Sequence, residues 1–313
     1  MKPSRKIITI GTRGSLLALA QAGDIQNQLR KKNPGVNFKL TVIKTTGDEY
    51  QTVELFKKNN IGVFTKEIES RLLSGAIDIA VHSLKDLPTD LPGGLMLAAF
   101  PRRLDTRDAL ISKKRYNLKT LPHRARVAAG SPRRKRQLQI LRPDLKLFDI
   151  RGNLDTRIGR VLEKNDFDAV LLAQAGLLRL NKYLKYAVAI PSDKILPAVG
   201  QAALGLETRV SDTSITNLLK PLNHPPTEVR VCAERAFLKT LHGGCRVPVG
   251  VNSEIQRGKI SLQAFVFSTH NDRWISGILS GPIEKYEEVG IKLAENLLSR
   301  GAAKLMQEAR DKL

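Results

Sequence analysis

The chain is short of cysteine, of aromatic rings and of acid. Only two cysteines, Cys232 and Cys245, occur in 313 residues, too few for a disulfide framework. They stand thirteen positions apart with His242 the nearest imidazole, which matches no zinc spacing. A reducing compartment and no metal are therefore expected. Aromatics make up 5% of the chain, and no basic segment alternates with Phe or Tyr as a single-strand stacking platform requires. Helix-turn-helix, zinc-finger and RNA-binding signatures are missing too, so no nucleic-acid partner is expected. No apolar run approaches the roughly 20 residues that span a bilayer, which leaves no membrane role. The apolar run after MKPSRK is broken by Thr9, Gly11 and Arg13, too short for a signal-peptide core, and a cytoplasmic protein is expected.

What is abundant is positive charge. Fifty-two Lys and Arg against thirty Asp and Glu give a formal net charge of +22. Such a field attracts anions of any kind, so nucleic acid, an anionic membrane and a polyanionic small molecule compete, and only the placement of the charges can decide. A length of 313 residues with 42% hydrophobic content favours two or three domains over one.

Short β-rich runs alternate with helical periodicity, the pattern of an α/β sheet with crossover helices. Strands are expected at Ile7–Ile10, Lys39–Lys44, Ile77–His82, Leu95–Phe100, Arg126–Ala129, Leu145–Ile150 and Ala169–Leu172. Several are apolar at successive positions, as strands buried on both faces should be. The turns after them carry arginine. Gly11-Thr12-Arg13-Gly14-Ser15 follows the first, with Ser15 set to cap a helix. Gly130-Ser131-Pro132-Arg133-Arg134 follows Arg126–Ala129, with Ser131 as cap, Pro132 at the first helical position and two arginines in the first turn. That placement opposes the helix macrodipole, whereas a bound anion would explain it. Arg151 and Arg157 follow the Leu145–Ile150 run, and Arg179 follows Ala169–Leu172. Ligands of open parallel sheets bind outside the carboxyl ends of the strands, so these turns can converge on one cleft. Each arginine taken singly could equally be a solvated surface charge.

One carboxylate stands out. Ile77–His82 runs into Ser83-Leu84-Lys85-Asp86, which places Lys85 and Asp86 at another strand end. Asp86 there could stabilise a cation or move a proton, or simply pair with Lys85. Cys245, between glycines and beside Arg246, is either a reactive thiol or a structural turn residue, while Cys232 reads as core of a helix over Glu228–Leu241.

Several stretches together resemble the porphobilinogen deaminase family: GTRGSLLALAQ (11–21), TTGD (45–48), FTKEIE (64–69), DIAVHSLKDLPT (78–89), SPRRKRQL (131–138), RGNLDTR (151–157), AGLLRL (175–180), LPAVGQAALGLE (196–207) and HGGCRVPVG (242–250). The resemblance implies an enzyme, hydroxymethylbilane synthase, that condenses four porphobilinogen units with loss of ammonia and releases a linear tetrapyrrole. It implies a dipyrromethane cofactor held by Cys245 through a thioether, with Asp86 catalytic and Lys85, Ser131, Arg133 and Arg134 around the cofactor. Arg13, Ser15, Phe64, Arg151, Arg157, Arg179 and Gln201 are implied in substrate binding. Each porphobilinogen carries an acetate and a propionate, which suits the arginines.

The implied fold is α/β: two periplasmic-binding-protein-like (type II) α/β domains plus a smaller C-terminal α/β domain, in a monomer. The boundaries expected here are 1–101 with 200–220, then 102–199, then 221–313 after a Pro221–Pro226 linker, with hairpin-like strands over 247–281 and a helix over 283–299. Two departures from the family pattern are visible. Asn59-Asn60-Ile61-Gly62-Val63-Phe64 stands where a Gly-Gly-Lys-Gly-Leu-Phe loop is usual, and Ala129-Gly130-Ser131-Pro132 replaces Thr-Ser-Ser-Leu. A non-catalytic anion-binding protein on the same scaffold is the competing reading.

Overall fold

The computed structural model describes residues 7–46, 65–242, 248–268 and 273–311. The chain divides into two compact units, 1–103 with 203–228, and 104–202 with 229–313.

The first unit holds a five-stranded sheet. Its strands are β1 (Ile7–Thr12), β2 (Asn37–Val42), β3 (Ile79–Ser83), β4 (Leu95–Ala99) and β10 (Leu204–Arg209), in the order β2-β1-β3-β10-β4. β1 runs parallel to β2 and β3, while β10 is antiparallel to both β3 and β4. Helices α1 (Leu16–Lys32) and α6 (Thr213–Leu219) share one core with the sheet, which joins Ala22, Ile25, Leu29, Ile215 and Leu219 to Ile8, Ile10, Ile79 and Leu206. On the other face Ile68 and Leu72 of α2 (Lys66–Leu73) pack against Ile43, Ile77 and Ala80. A sheet covered on both sides buries successive positions, which is why β3 opens Ile-Ala-Val without alternation.

The second unit repeats the plan. β5 (Asp108–Ile111), β6 (Arg126–Ala129), β7 (Lys146–Phe148), β8 (Ala169–Ala173) and β9 (Ala187–Ala189) form a sheet in the order β7-β6-β8-β5-β9. β6 is parallel to β7 and β8, and β5 is antiparallel to β8 and β9. Helices α3 (Pro132–Leu141), α4 (Leu154–Leu162) and α5 (Gln174–Leu180) follow the three parallel strands. Both sheets thus have the type II periplasmic-binding-protein order, with one antiparallel strand inserted fourth.

The same unit contains a three-stranded antiparallel sheet, β11 (Val249–Gln256), β12 (Lys259–Phe267) and β13 (Trp274–Pro282). Its inner face packs on α7 (Pro225–Thr240) and α8 (Tyr286–Leu297), with Val251, Leu262, Ala264 and Val266 against Phe237, Leu241 and Leu293. The stretch from Leu196 to Gln201 joins it to the five-stranded sheet. Gln137 brackets Leu196, its Oε1 accepting from the amide at 2.7 Å and its Nε2 donating to the carbonyl at 3.1 Å. Glu234 of α7 accepts from Gly200 N at 2.9 Å, and Val251 N donates to Pro197 O at 2.8 Å.

Several expectations change. β2 begins two residues before the expected Lys39, and β5, β9 and β10 were not anticipated from the residues. The supposed Pro221–Pro226 linker is not one: Pro221 lies in a 3-10 turn over Lys220–Leu222, and α7 opens at Pro225, because proline suits the first turn, where its missing N–H costs no hydrogen bond. Cys232 is half-buried rather than core, since the stripe facing the sheet is Ala233, Phe237 and Leu241, one position around the helix.

Gly290 of α8 crosses α7 so closely that a Cβ there would lie 2.2 Å from the Ala233 carbonyl oxygen. Replacing Gly with Ala inside an open helix gains about 1 kcal/mol. Here Gly290→Ala is expected to cost about 1–3 kcal/mol instead, read as a lower guanidinium unfolding midpoint; a raised midpoint would show that the helices separate freely.

Candidate active site

In the first unit, the turn after β1 and the turn after β3 meet at a small cavity. Arg13, Ser15, Gln21, His82, Ser83 and Asp86 line it, with Thr65 and Ile68 of the α2 region on the other side. Ser15 is at the N-cap of α1, and its hydroxyl accepts from Ala18 N at 3.3 Å. This leaves Arg13, half-buried, just outside the helix N-terminus. Asp86 closes a 3-10 turn over Leu84–Asp86 and is exposed, whereas Leu84 beneath it is buried. Gln21 is buried and exchanges hydrogen bonds with Ser83, at 2.9 and 3.1 Å. Lys85, on the same turn as Asp86, is half-buried.

A second set occupies the carboxyl edge of the parallel strands in the second unit. Arg133 and Arg134, in the first turn of α3, are both buried. Their negative partner is internal: Asp108, at the start of the antiparallel β5, is fully buried opposite Ala173 at the end of β8. Arg133 Nη1 lies 2.8 Å from Asp108 Oδ2, and Arg134 Nη2 lies 2.7 Å from Oδ1. Gln201 completes the cluster. Its Nε2 donates to Asp108 Oδ1 at 2.9 Å and to Thr106 O at 2.7 Å, and its Oε1 accepts from Arg133 Nη2 at 3.3 Å. Burial alone would push Asp108 up, but Arg133 and Arg134 hold its carboxyl well below the usual range. One carboxylate against two guanidiniums leaves a positive charge over.

The remaining calls fall nearby in the same unit. Arg151 is exposed in the turn beyond β7. Arg157 of α4 donates from Nε to Gly152 O at 2.7 Å, and Arg179 of α5 donates from Nη2 to Ala202 O at 3.0 Å. Ser131 takes the N-cap position of α3 but its hydroxyl makes no capping hydrogen bond; its backbone, at φ −134°, is more extended than that of Ser15 at φ −68°. Gly130 is required by a close approach: a Cβ would meet Ile150 O at 2.7 Å and Arg157 Nη1 at 3.3 Å. Cys245, Phe64 and the whole 59–64 stretch lie outside the described residues.

Asp108 and the buried His82, Glu207 and Glu69 were not singled out from the sequence. A carboxylate beginning a short apolar run, Asp-Ala-Leu-Ile, was the available signal for the first. Nothing local points to Glu207, whose partner His82 is 125 positions away.

The family model described as porphobilinogen deaminase, dipyromethane cofactor binding domain, matches residues 8–217, and the one described as porphobilinogen deaminase, C-terminal domain, matches residues 229–299. The chain is 46% identical over 310 residues to the porphobilinogen deaminase of Chloroherpeton thalassium, covering 98% of each chain. It is 45% identical over 310 residues to that of Chlorobium phaeobacteroides, covering 98% of this chain and 99% of the relative. The Bordetella pertussis BvgS periplasmic VFT2 domain aligns with 68% of this chain and 85% of that one, at 17% identity and a TM-score of 0.40, too distant a likeness to decide anything.

Removing the Asp108 charge leaves two buried guanidiniums uncompensated. Asp108→Asn is expected to cost about 3–5 kcal/mol at neutral pH, measured by chemical unfolding. A carboxyl held low in the folded state contributes stability above its unfolded value, near pH 4, and loses it as the pH falls toward the folded value. The gap between wild type and variant should therefore narrow from about pH 5 downward; a constant gap would mean that Asp108 is not the titrating partner.

Proposed function

The chain belongs to the porphobilinogen deaminase family, and from that membership we infer that it condenses porphobilinogen units, one after another, into hydroxymethylbilane on a dipyrromethane primer. The observation that carries this reading is identity of 44–46% with curated relatives of that name across 98% of the chain.

The residues present suit an anionic tetrapyrrole precursor. At the carboxyl edge of the second unit two guanidiniums share the single carboxylate of Asp108. A bound dipyrromethane would supply a free pyrrole α-carbon as the nucleophile that begins chain growth. We assign its thioether to Cys245, and its surroundings to Lys85, Ser131, Arg133 and Arg134. Arginine pairs bidentately with carboxylates, so Arg13, Arg151, Arg157 and Arg179 would receive the acetate and propionate groups, each added unit bringing two. Gln201 would act by fixing Arg133, to which it is bonded, and Ser15 and Phe64 would complete the substrate contacts. Asp86, exposed at the cavity where Arg13 and Ser15 also lie, would hold pyrrole N–H groups and offset the positive charge that develops as ammonia leaves.

We further propose the division 1–101 with 200–220, 102–199 and 221–313, and a monomer working in the cytoplasm. Two cysteines in 313 residues agree with a reducing compartment. Among the described residues no helix is long and apolar enough to cross a membrane, and no group of three or more His, Cys, Asp or Glu could hold a metal ion.

Intact mass spectrometry of the wild type beside Cys245→Ala tests the primer: an excess of two linked pyrroles, present only in the wild type, is expected. A bare wild-type mass that persists after incubation with porphobilinogen would favour the anion-binding protein. Asp86→Asn is expected to keep the mass excess while losing about 10²-fold or more in turnover; unchanged turnover would remove Asp86 from this role.

A further inference from the structure

Beside the cavity that carries Asp86 lies a group of three buried titratable side chains that none of the steps above uses. His82 of β3 is 5% exposed and places Nε2 2.9 Å from Oε2 of Glu207, a residue of β10 that is fully buried. Glu69 of α2, also 5% exposed, is near enough to feel both. Burial first, then the Glu207 carboxylate, push Glu69 up, against a hydrogen bond with Thr65 and the attraction of His82 and Lys66. An ionised carboxylate only accepts, so with Glu207 ionised the ring presents N–H to it at Nε2, which leaves Nδ1 as the nitrogen that takes up and gives back a proton. Among the described residues Nδ1 makes no hydrogen bond, and His82 is one of the residues that line the cavity. An imidazole held at one nitrogen by a buried carboxylate and open at the other has the arrangement of an oriented general base.

We propose that His82 is a second acid–base residue of this cavity, exchanging a proton with the pyrrole substrate while Asp86 offsets the positive charge. The proposal rests on the reaction assigned above. The aminomethyl group leaves from its ammonium form: the C–N bond breaks with its electron pair on nitrogen, and the pyrrole ring's electrons form the exocyclic double bond, leaving a cation for Asp86 to face. When the next carbon–carbon bond forms, the attacking α-carbon loses its hydrogen. The C–H pair restores the aromatic ring, and the proton passes to the bare Nδ1. Nδ1 then gives it to the released ammonia, so His82 ends as it began and one ammonium leaves per unit added. The charged and titratable groups around the ring are Glu207 from β10, Glu69 from α2 with Lys66 behind it, and Arg13 and Asp86 lining the same cavity.

The first test needs no turnover. Nitrogen NMR of the full-length protein should show the His82 ring protonated at Nε2 and bare at Nδ1, with Nδ1 taking up a proton on acidification. A proton fixed on Nδ1, or a ring silent to pH, would overturn the proposal and leave His82–Glu207 as a structural tie between β3 and β10. The second uses porphobilinogen deuterated at its free α-carbon. His82→Gln should retain the covalent pyrrole mass, lose about 10²-fold in kcat with little change in KM, and show a larger isotope effect than the wild type. A kcat within about threefold of wild type with an unchanged isotope effect would sink the idea. Should His82→Gln fail to fold by circular dichroism, Glu207→Gln decides, since it keeps the side chain's shape and removes the charge: a larger isotope effect supports the proposal and an unchanged one overturns it. A wild type that does not consume porphobilinogen would defeat the assigned reaction, an outcome separate from the tautomer result.

Discussion

Asp108 sits fully buried between Arg133 and Arg134, and much of the second unit is arranged around keeping it charged. A lone buried carboxylate would give up its charge, and two buried guanidiniums without one would hardly be tolerated. The pairing therefore demands that β5 run antiparallel, so that its first residue reaches the edge where the parallel strands end. It also explains two arginines in the first turn of α3, where the helix macrodipole repels them. Gln201 bonds to both partners, and the segment leading to it is clasped by Gln137, Glu234 and Val251. The three-stranded sheet is thus tied to the charge cluster through a single stretch of backbone.

The first unit uses a related device, with an imidazole in place of the guanidiniums. Its antiparallel strand, β10, brings Glu207 to His82, again a buried carboxylate meeting a residue of the parallel set from far away in the chain. The two pairs differ in what they leave over. In the second unit positive charge exceeds negative, which suits a multiply carboxylated ligand. In the first, carboxyls outnumber the imidazole, which suits the holding and passing of protons. Each unit thereby buries a carboxylate that an inserted strand supplies, Asp108 in the second and Glu207 in the first.

The strands that run parallel were legible because each is an apolar run followed at once by its turn and helix; Arg126–Ala129 matches to the residue. The same locality made Arg13 with Ser15, and Asp86 separately, readable as turn residues at strand ends, while only the fold shows that these two turns meet at one cavity. The inserted strands were not. Asp108–Ile111 has four residues, and Leu204–Arg209 ends Glu-Thr-Arg, a composition that suggests exposure although Glu207 and Thr208 are buried. What makes them strands is pairing with distant partners, a property that composition does not carry. Arg133 and Arg134 were read as awaiting a bound anion, whereas the negative partner in the structure is Asp108, which no turn motif announces. The prolines near 221–226 misled for the opposite reason, because proline marks a helix start as readily as a linker.

The inserted strands also set an order for folding during synthesis. All five strands of the second unit's large sheet fall between Asp108 and Ala189, so that sheet has its full complement before Leu204 has been made. The first unit's sheet lacks its fourth strand until Leu204–Arg209 emerges, although its other strands were made more than a hundred residues earlier. Until then β3 and β4 have no partner between them, and the edges that β10 will cover stay open to other chains. The sheet begun first is therefore completed after the second unit's large sheet, and a nascent polypeptide stalled before residue 204 would expose unpaired strand edges on which aggregation can begin.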